Sequence, residues 1–171
     1  MRLRTLPLLV LLPALAACES ARFQDRDIKA EGLAPGTMWD ICENAARSVT
    51  GTELDPVGTD RGLKRMRTKW RTRAQPFRQG YRLRAEVVLL PEGEPPERWT
   101  VRYHVERQVN KDIAQAFQPE EDDWGGTTQD EQLEQRLGYL IELGIAQAKG
   151  ERTPRGVGPG RSDPIEEQRK R

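Results

Sequence analysis

Lys64-Arg65-Met66-Arg67-Thr68-Lys69-Trp70-Arg71-Thr72-Arg73-Ala74 is the stretch on which the fold turns. Met66, Thr68, Trp70, Thr72 and Ala74 share one parity; Arg65, Arg67, Lys69, Arg71 and Arg73 share the other. A strand sends alternate side chains to opposite faces, so the pattern predicts one packed face and one row of cations. Period two returns twice downstream. Tyr81, Leu83, Ala85, Val87 and Leu89 alternate with Arg82, Arg84 and Glu86, and Trp99, Val101, Tyr103, Val105 and Val109 alternate with Arg98, Arg102, His104, Glu106 and Gln108. Proline- and glycine-rich connections separate the three runs, which predicts an antiparallel meander.

Helical period flanks this block on both sides. Met38, Ile41, Cys42, Ala45, Ala46 and Val49 form one apolar stripe from Pro35 to a stop at Gly51, with Thr37 and Asp40 spaced as a capping box. Leu133, Leu137, Leu140, Ile141, Gly144 and Ala148 form a second stripe ending at Gly150, with Thr128 and Glu131 spaced as another capping box. The expected fold class is α+β: a two-layer α-β-β-β-α unit over residues 35–150, its small antiparallel sheet carrying both helices on one face. Residues 18–34 read as a polar tether, and 151–171, rich in proline, glycine and charge, as a disordered tail.

The chain opens with Arg2 and Arg4, then an apolar run from Leu6 to Ala17 without an acidic residue. That run is shorter than the about 20 apolar residues a spanning helix needs. It reads as a signal peptide, residues 1–17. Leu15-Ala16-Ala17-Cys18 resembles a lipobox, which implies cleavage before Cys18 and acylation of its thiol and amine. Acyl chains bind membranes at about 0.8 kcal/mol per buried methylene, so this anchor needs no spanning helix. Glu19 is not the aspartate that resembles an inner-membrane retention signal, which favours the periplasmic face of the outer membrane. With Cys18 acylated, Cys42 has no intramolecular disulfide partner, and its place in the stripe predicts a core thiol.

The sequence has 28 basic and 27 acidic residues, yet none of the acids falls between Arg61 and Arg84. Arg65, Arg67, Lys69, Arg71, Arg73, Arg82, Arg84 and Arg102, with Arg98, are the candidate anion site on the exposed sheet face. One reading is a membrane-anchored accessory that binds lipopolysaccharide, anionic lipid or an envelope protein through arginine's bidentate fork. A second is a structural lipoprotein whose basic face is neutralised by its own carboxylates, among them Glu86, Glu106, Glu120 to Asp123, Asp130, Glu131 and Glu134. A third is a hydrolase built on His104, the one histidine. His104 lies on the exposed parity of a strand with no carboxylate–nucleophile pair in sequence, so no catalytic residue is assigned and the protein reads as non-enzymatic. The run Glu120-Glu121-Asp122-Asp123 lacks the spacing of a calcium loop, and no zinc pattern or phosphate-cradling loop occurs. No cofactor or metal is expected. Export argues against nucleic acid, as does the absence of aromatics from the basic parity, because Trp70, Tyr81, Trp99 and Tyr103 all fall on the packed one.

Trp70-Arg71, Pro76-Phe77-Arg78-Gln79-Gly80-Tyr81, Tyr103-His104-Val105-Glu106-Arg107-Gln108-Val109-Asn110 and the acidic tryptophan loop come in an order that resembles a family of uncharacterised bacterial lipoproteins. The resemblance covers most of residues 36–148 and implies an envelope location. The architecture alone is also similar to the lipopolysaccharide-assembly lipoprotein of the outer-membrane translocon. There, two helices pack on one sheet and a basic surface engages lipopolysaccharide.

Overall fold

The computed structural model describes residues 24–75, 79–93, 98–112 and 119–151; the leader 1–17, Cys18 and tail residues 152–171 lie outside them. The chain runs β1 (Arg26–Glu31), α1 (Pro35–Thr50), β2 (Arg65–Arg67), β3 (Arg71–Arg73), β4 (Tyr81–Glu92), β5 (Arg98–Val109), β6 (Thr128–Gln129) and α2 (Glu131–Ala148). All six strands join one antiparallel sheet in the order β1-β5-β4-β2, with β3 also on β4 and β6 also on β5. Both helices pack on one side, giving the two-layer α+β fold. Paired core residues include Ala85 with Val105, Val87 with Tyr103 and Leu89 with Val101. Met38, Cys42, Val49, Leu137 and Ile141 of the helices close over them.

Three local expectations are corrected. The stretch read as tether supplies β1, where Ile28 pairs Val101 and Ala30 pairs Trp99. Two buried apolar residues among charges are too few to mark a strand in sequence; the pairing with β5 makes one. The capping boxes do not form. Proline occupies the first turn of α1, whose N-cap Ala34 makes no side-chain bond. Asp130 caps α2 by accepting from the Leu133 N–H at 3.1 Å, while Thr128 belongs to β6.

The third correction concerns the basic strand itself. Arg67 pairs Glu86 and Arg71 pairs Leu83, so residues 68–70 face only Arg84 and Ala85 across the ladder. One extra residue is a β-bulge, and it reverses every later side chain. Before it, Met66 is buried and Arg65 and Arg67 share the outer face with Glu86. After it, Arg71 and Arg73 share the helix side with Leu83 and Tyr81, while Thr72 joins Arg82 on the outer face. The guanidinium of Arg73 accordingly approaches the helix cap: a Cβ on Gly51 would lie 3.7 Å from its Nη2. The single row of five cations does not form.

Packing is close where the helices cross the sheet. A Cβ on Gly138 would collide with the Tyr103 hydroxyl, so the glycine lets α2 lie this near β5 with Tyr103 in its present place. Cys42 is fully buried, and burial pushes its thiol up from 9.0 to about 12. A protonated thiol without solvent access is unreactive, so native protein is expected to resist iodoacetamide at pH 8 and to react once unfolded in urea. The linkage has a definite sign. Because the folded value is the higher, the contribution is complete below pH 9 and declines as pH rises toward about 12. Unfolding titrations at pH 8 and pH 11 should show roughly 3 kcal/mol more loss in wild type than in Cys42→Ala, at about 1.4 kcal/mol per pH unit.

Candidate functional site

The outer face of the sheet gathers the even-numbered residues of β4 and β5 and the odd-numbered residues of β1. Its cations are paired within the chain. Arg65 meets Glu86 at 2.8 Å, Arg84 meets Glu106 at 2.6 Å, and Arg102 meets Asp27 at 3.1 Å. Arg98 meets Glu31 at 3.2 Å and Lys29 meets Glu92 at 2.9 Å. Arg67 turns to Asp55 at 3.0 Å, and Lys69 to Glu53 at 3.7 Å. Most of these pairs are exposed, where each is worth no more than about 1 kcal/mol. Their consequence is charge closure. The Lys29 ammonium and Thr100 hydroxyl beside Glu92 hold its carboxyl below the ordinary range, as Arg67 does for Asp55.

Arg82 is held differently. Its side chain is 8 % exposed, and its guanidinium lies between the rings of Trp70 and Trp124, 4.6 and 4.7 Å from their centroids. Its Nη1 and Nη2 donate to the two oxygens of Glu121, at 2.8 and 2.5 Å, and Nε donates to Gln108 at 2.6 Å. Arg84 also lies over the Trp70 ring, 4.3 Å from its centroid. The bulge creates this stack by carrying Trp70 out of the packed parity, so the expectation that Trp70 is a core residue is corrected. Through Glu121 and Trp124 the stack fastens the acidic loop to the sheet. Arg82 in turn holds the Glu121 carboxyl below its usual value.

Glu134 does not join a neutralising acidic surface. It is fully buried under the sheet, accepting from the Val105 N–H at 3.0 Å, Gln129 Nε2 at 2.9 Å and Arg26 Nε at 3.3 Å. A carboxylate with this many donors ties α2 to β5, β6 and β1.

At the centre of the outer face stands His104. Its Nδ1 is 3.0 Å from Asp25 and its Nε2 is 3.3 Å from Glu106. Glu86 is its direct cross-strand partner on β4. Burial alone would lower the imidazole value, but the bonds to Glu106 and Asp25 outweigh it and the net shift is upward. Glu106 is driven up by burial and down by His104 and Arg84, with a net fall. Register, not spacing, assembles this group; the nearest sequence signal is that His104 and Glu106 share a strand parity. His104 does not line the large cleft of about 880 Å³, which lies at the other end of β1 between Glu31, Leu33, Arg98 and Lys149.

Of the eight cations predicted to bind anions, Arg71 and Arg73 alone lack a hydrogen-bond or ion-pair partner among the described residues, and both are exposed. They sit on an edge strand at the end of the sheet toward which the chain preceding Arg26 runs. Arg26 pairs Tyr103 opposite Val87, whereas β3 pairs Leu83 to Tyr81 farther along the same direction. Among the described residues no helix is long and apolar enough to cross a membrane. No protein-family model and no curated protein matches the chain.

Proposed function

We propose that the protein is a non-enzymatic envelope lipoprotein, anchored at the outer membrane through Cys18, whose sheet serves as a structural scaffold and not as an open anion-binding face. The observation that carries this reading is the pairing of Arg65, Arg67, Lys69, Arg82, Arg84 and Arg102 with carboxylates of the same chain. A face that presents as many internal acids as bases offers an external phosphate no net field. The architectural similarity to the lipopolysaccharide-assembly lipoprotein is in keeping with an envelope role.

A narrower anion contact is favoured by Arg71 and Arg73. Five residues lie between Cys18 and Gln24, so six Cα–Cα steps give a reach of at most about 20 Å. An acylated Cys18 therefore holds the β3 end of the sheet near the headgroups. Each cation close to an anionic surface contributes about 1 kcal/mol.

Two measurements test the reading. In cells, radiolabelled palmitate should enter wild-type protein and fractionate with the outer membrane, and Cys18→Ala should lose both label and membrane. In solution, unacylated Cys18→Ser protein should partition onto phosphatidylglycerol vesicles at low salt. Adding Arg71→Gln and Arg73→Gln should lower that partition about thirtyfold, from two contacts of about 1 kcal/mol each. Soluble wild-type protein, or unchanged partition in the double variant, would overturn the anchor and the contact respectively.

A further inference from the structure

We propose that Glu86, His104 and Glu106 form a zinc site on the outer face of the sheet, independent of the anchor and of Arg71 and Arg73. The three residues each offer a ligand atom within 4.8 Å of the others, all drawn from the paired strands β4 and β5. Donors around zinc at 2.0–2.1 Å in tetrahedral geometry lie roughly 3.4 Å apart. Closing these atoms onto an ion thus needs side-chain movements of about an ångström, within the reach of rotamer adjustment on a fixed sheet.

The shell behind the donors is already built. Histidines that bind metals present one nitrogen to the ion and donate from the other to a carboxylate or carbonyl, which sets tautomer and ring plane. Asp25 takes that place at 3.0 Å from Nδ1, leaving Nε2 turned toward Glu106 at only 3.3 Å. Each ligand carboxylate is held from behind as well: Arg84 donates to Glu106 Oε2 at 2.6 Å while Oε1 faces His104 Nε2, and Arg65 Nη2 reaches both oxygens of Glu86. The histidine and glutamates are mostly screened from water, with side chains 13 %, 13 % and 8 % exposed for His104, Glu86 and Glu106.

One imidazole and two carboxylates suit a borderline ion such as zinc and fall short of the all-oxygen octahedron that magnesium requires. Two carboxylates match the charge of the ion. Three protein ligands leave a fourth position for water or for a donor from a small molecule.

The test uses untagged, unacylated full-length Cys18→Ser protein, in which His104 is the single imidazole. Calorimetry with zinc should show one ion bound per chain, and the melting temperature should rise with zinc but not with equal magnesium. His104→Ala should weaken zinc binding at least about tenfold, and Asp25→Asn about 10- to 100-fold through the second shell. The wild-type experiment decides the matter even if a variant fails to fold. Zinc without effect on wild type, zinc binding undiminished in folded His104→Ala, or a magnesium response equal to that of zinc would each overturn the proposal.

Discussion

Glu134→Ala is expected to lower the free energy of unfolding by about 3 kcal/mol, the low end of the range for removing one member of a buried charged network. The carboxylate has no solvent exposure and receives three donors. Alanine leaves the Val105 N–H without an acceptor inside the fold and opens a void beneath β5. Arg26 is partly exposed and recovers water, which keeps the loss from reaching the top of the range. Glu134→Gln should cost roughly half as much. Its amide oxygen can still accept from Val105, but its NH₂ then confronts the donors of Arg26 and Gln129. Urea titrations of the three proteins should rank them wild type, glutamine, alanine. A glutamine variant weaker than alanine would show that the clash of its NH₂ with Arg26 and Gln129 outweighs the acceptor it keeps for Val105, against the role assigned to hydrogen-bond acceptance.

Arg82→Ala is expected to be nearly as damaging, about 2–4 kcal/mol, from two desolvated cation–π contacts of about 1–2 kcal/mol each and a bidentate pair. Arg82→Lys should restore little. An ammonium cannot lie flat between Trp70 and Trp124 while forking to both oxygens of Glu121. The change has a local signature beyond stability. With the stack gone, the acidic turn keeps only its backbone bonds to the end of β5, Lys111 N–H to Asp123 O and Gly125 N–H to Val109 O, so tryptophan emission should shift to the red and protease should gain access near residues 119–126. A variant that loses stability with unaltered emission would mean that the rings stay packed without the cation.

These two residues show where sequence reasoning reaches and where it stops. The alternation in residues 81–89 and 99–109 survives intact as the core register of β4 and β5, and the two helical stripes survive as α1 and α2. Patterns of period two and 3.6 are local, so a chain displays them before it folds. The bulge at residues 68–70 is not local. It satisfies pairing with β4, yet leaves a perfect alternation in the sequence, and so reverses Trp70, Arg71 and Arg73 without warning. β1 is a strand because β5 offers it an edge, not because Asp27-Ile28-Lys29-Ala30 is strongly apolar. The electrostatics of the face behave likewise. The acids are numerous enough in the sequence to neutralise the basic rows; only the register reveals that Glu86 falls to Arg65, Glu106 to Arg84 and Asp27 to Arg102. The same register places Glu86 opposite His104, a constellation with no spacing signature along the chain.

The basic face is closed by its own carboxylates, and one comparison tests that closure directly. Unacylated Cys18→Ser protein and the same protein with two whole pairs removed, Arg65→Gln with Glu86→Gln and Arg102→Gln with Asp27→Asn, should be sedimented with phosphatidylglycerol vesicles across a salt series. Equal partition of the two at every salt concentration is the predicted result, because each pair removed is already neutral. A drop in partition on removing the two pairs, as large as that from removing Arg71 and Arg73, would contradict it and restore the sheet face as an anion-binding surface.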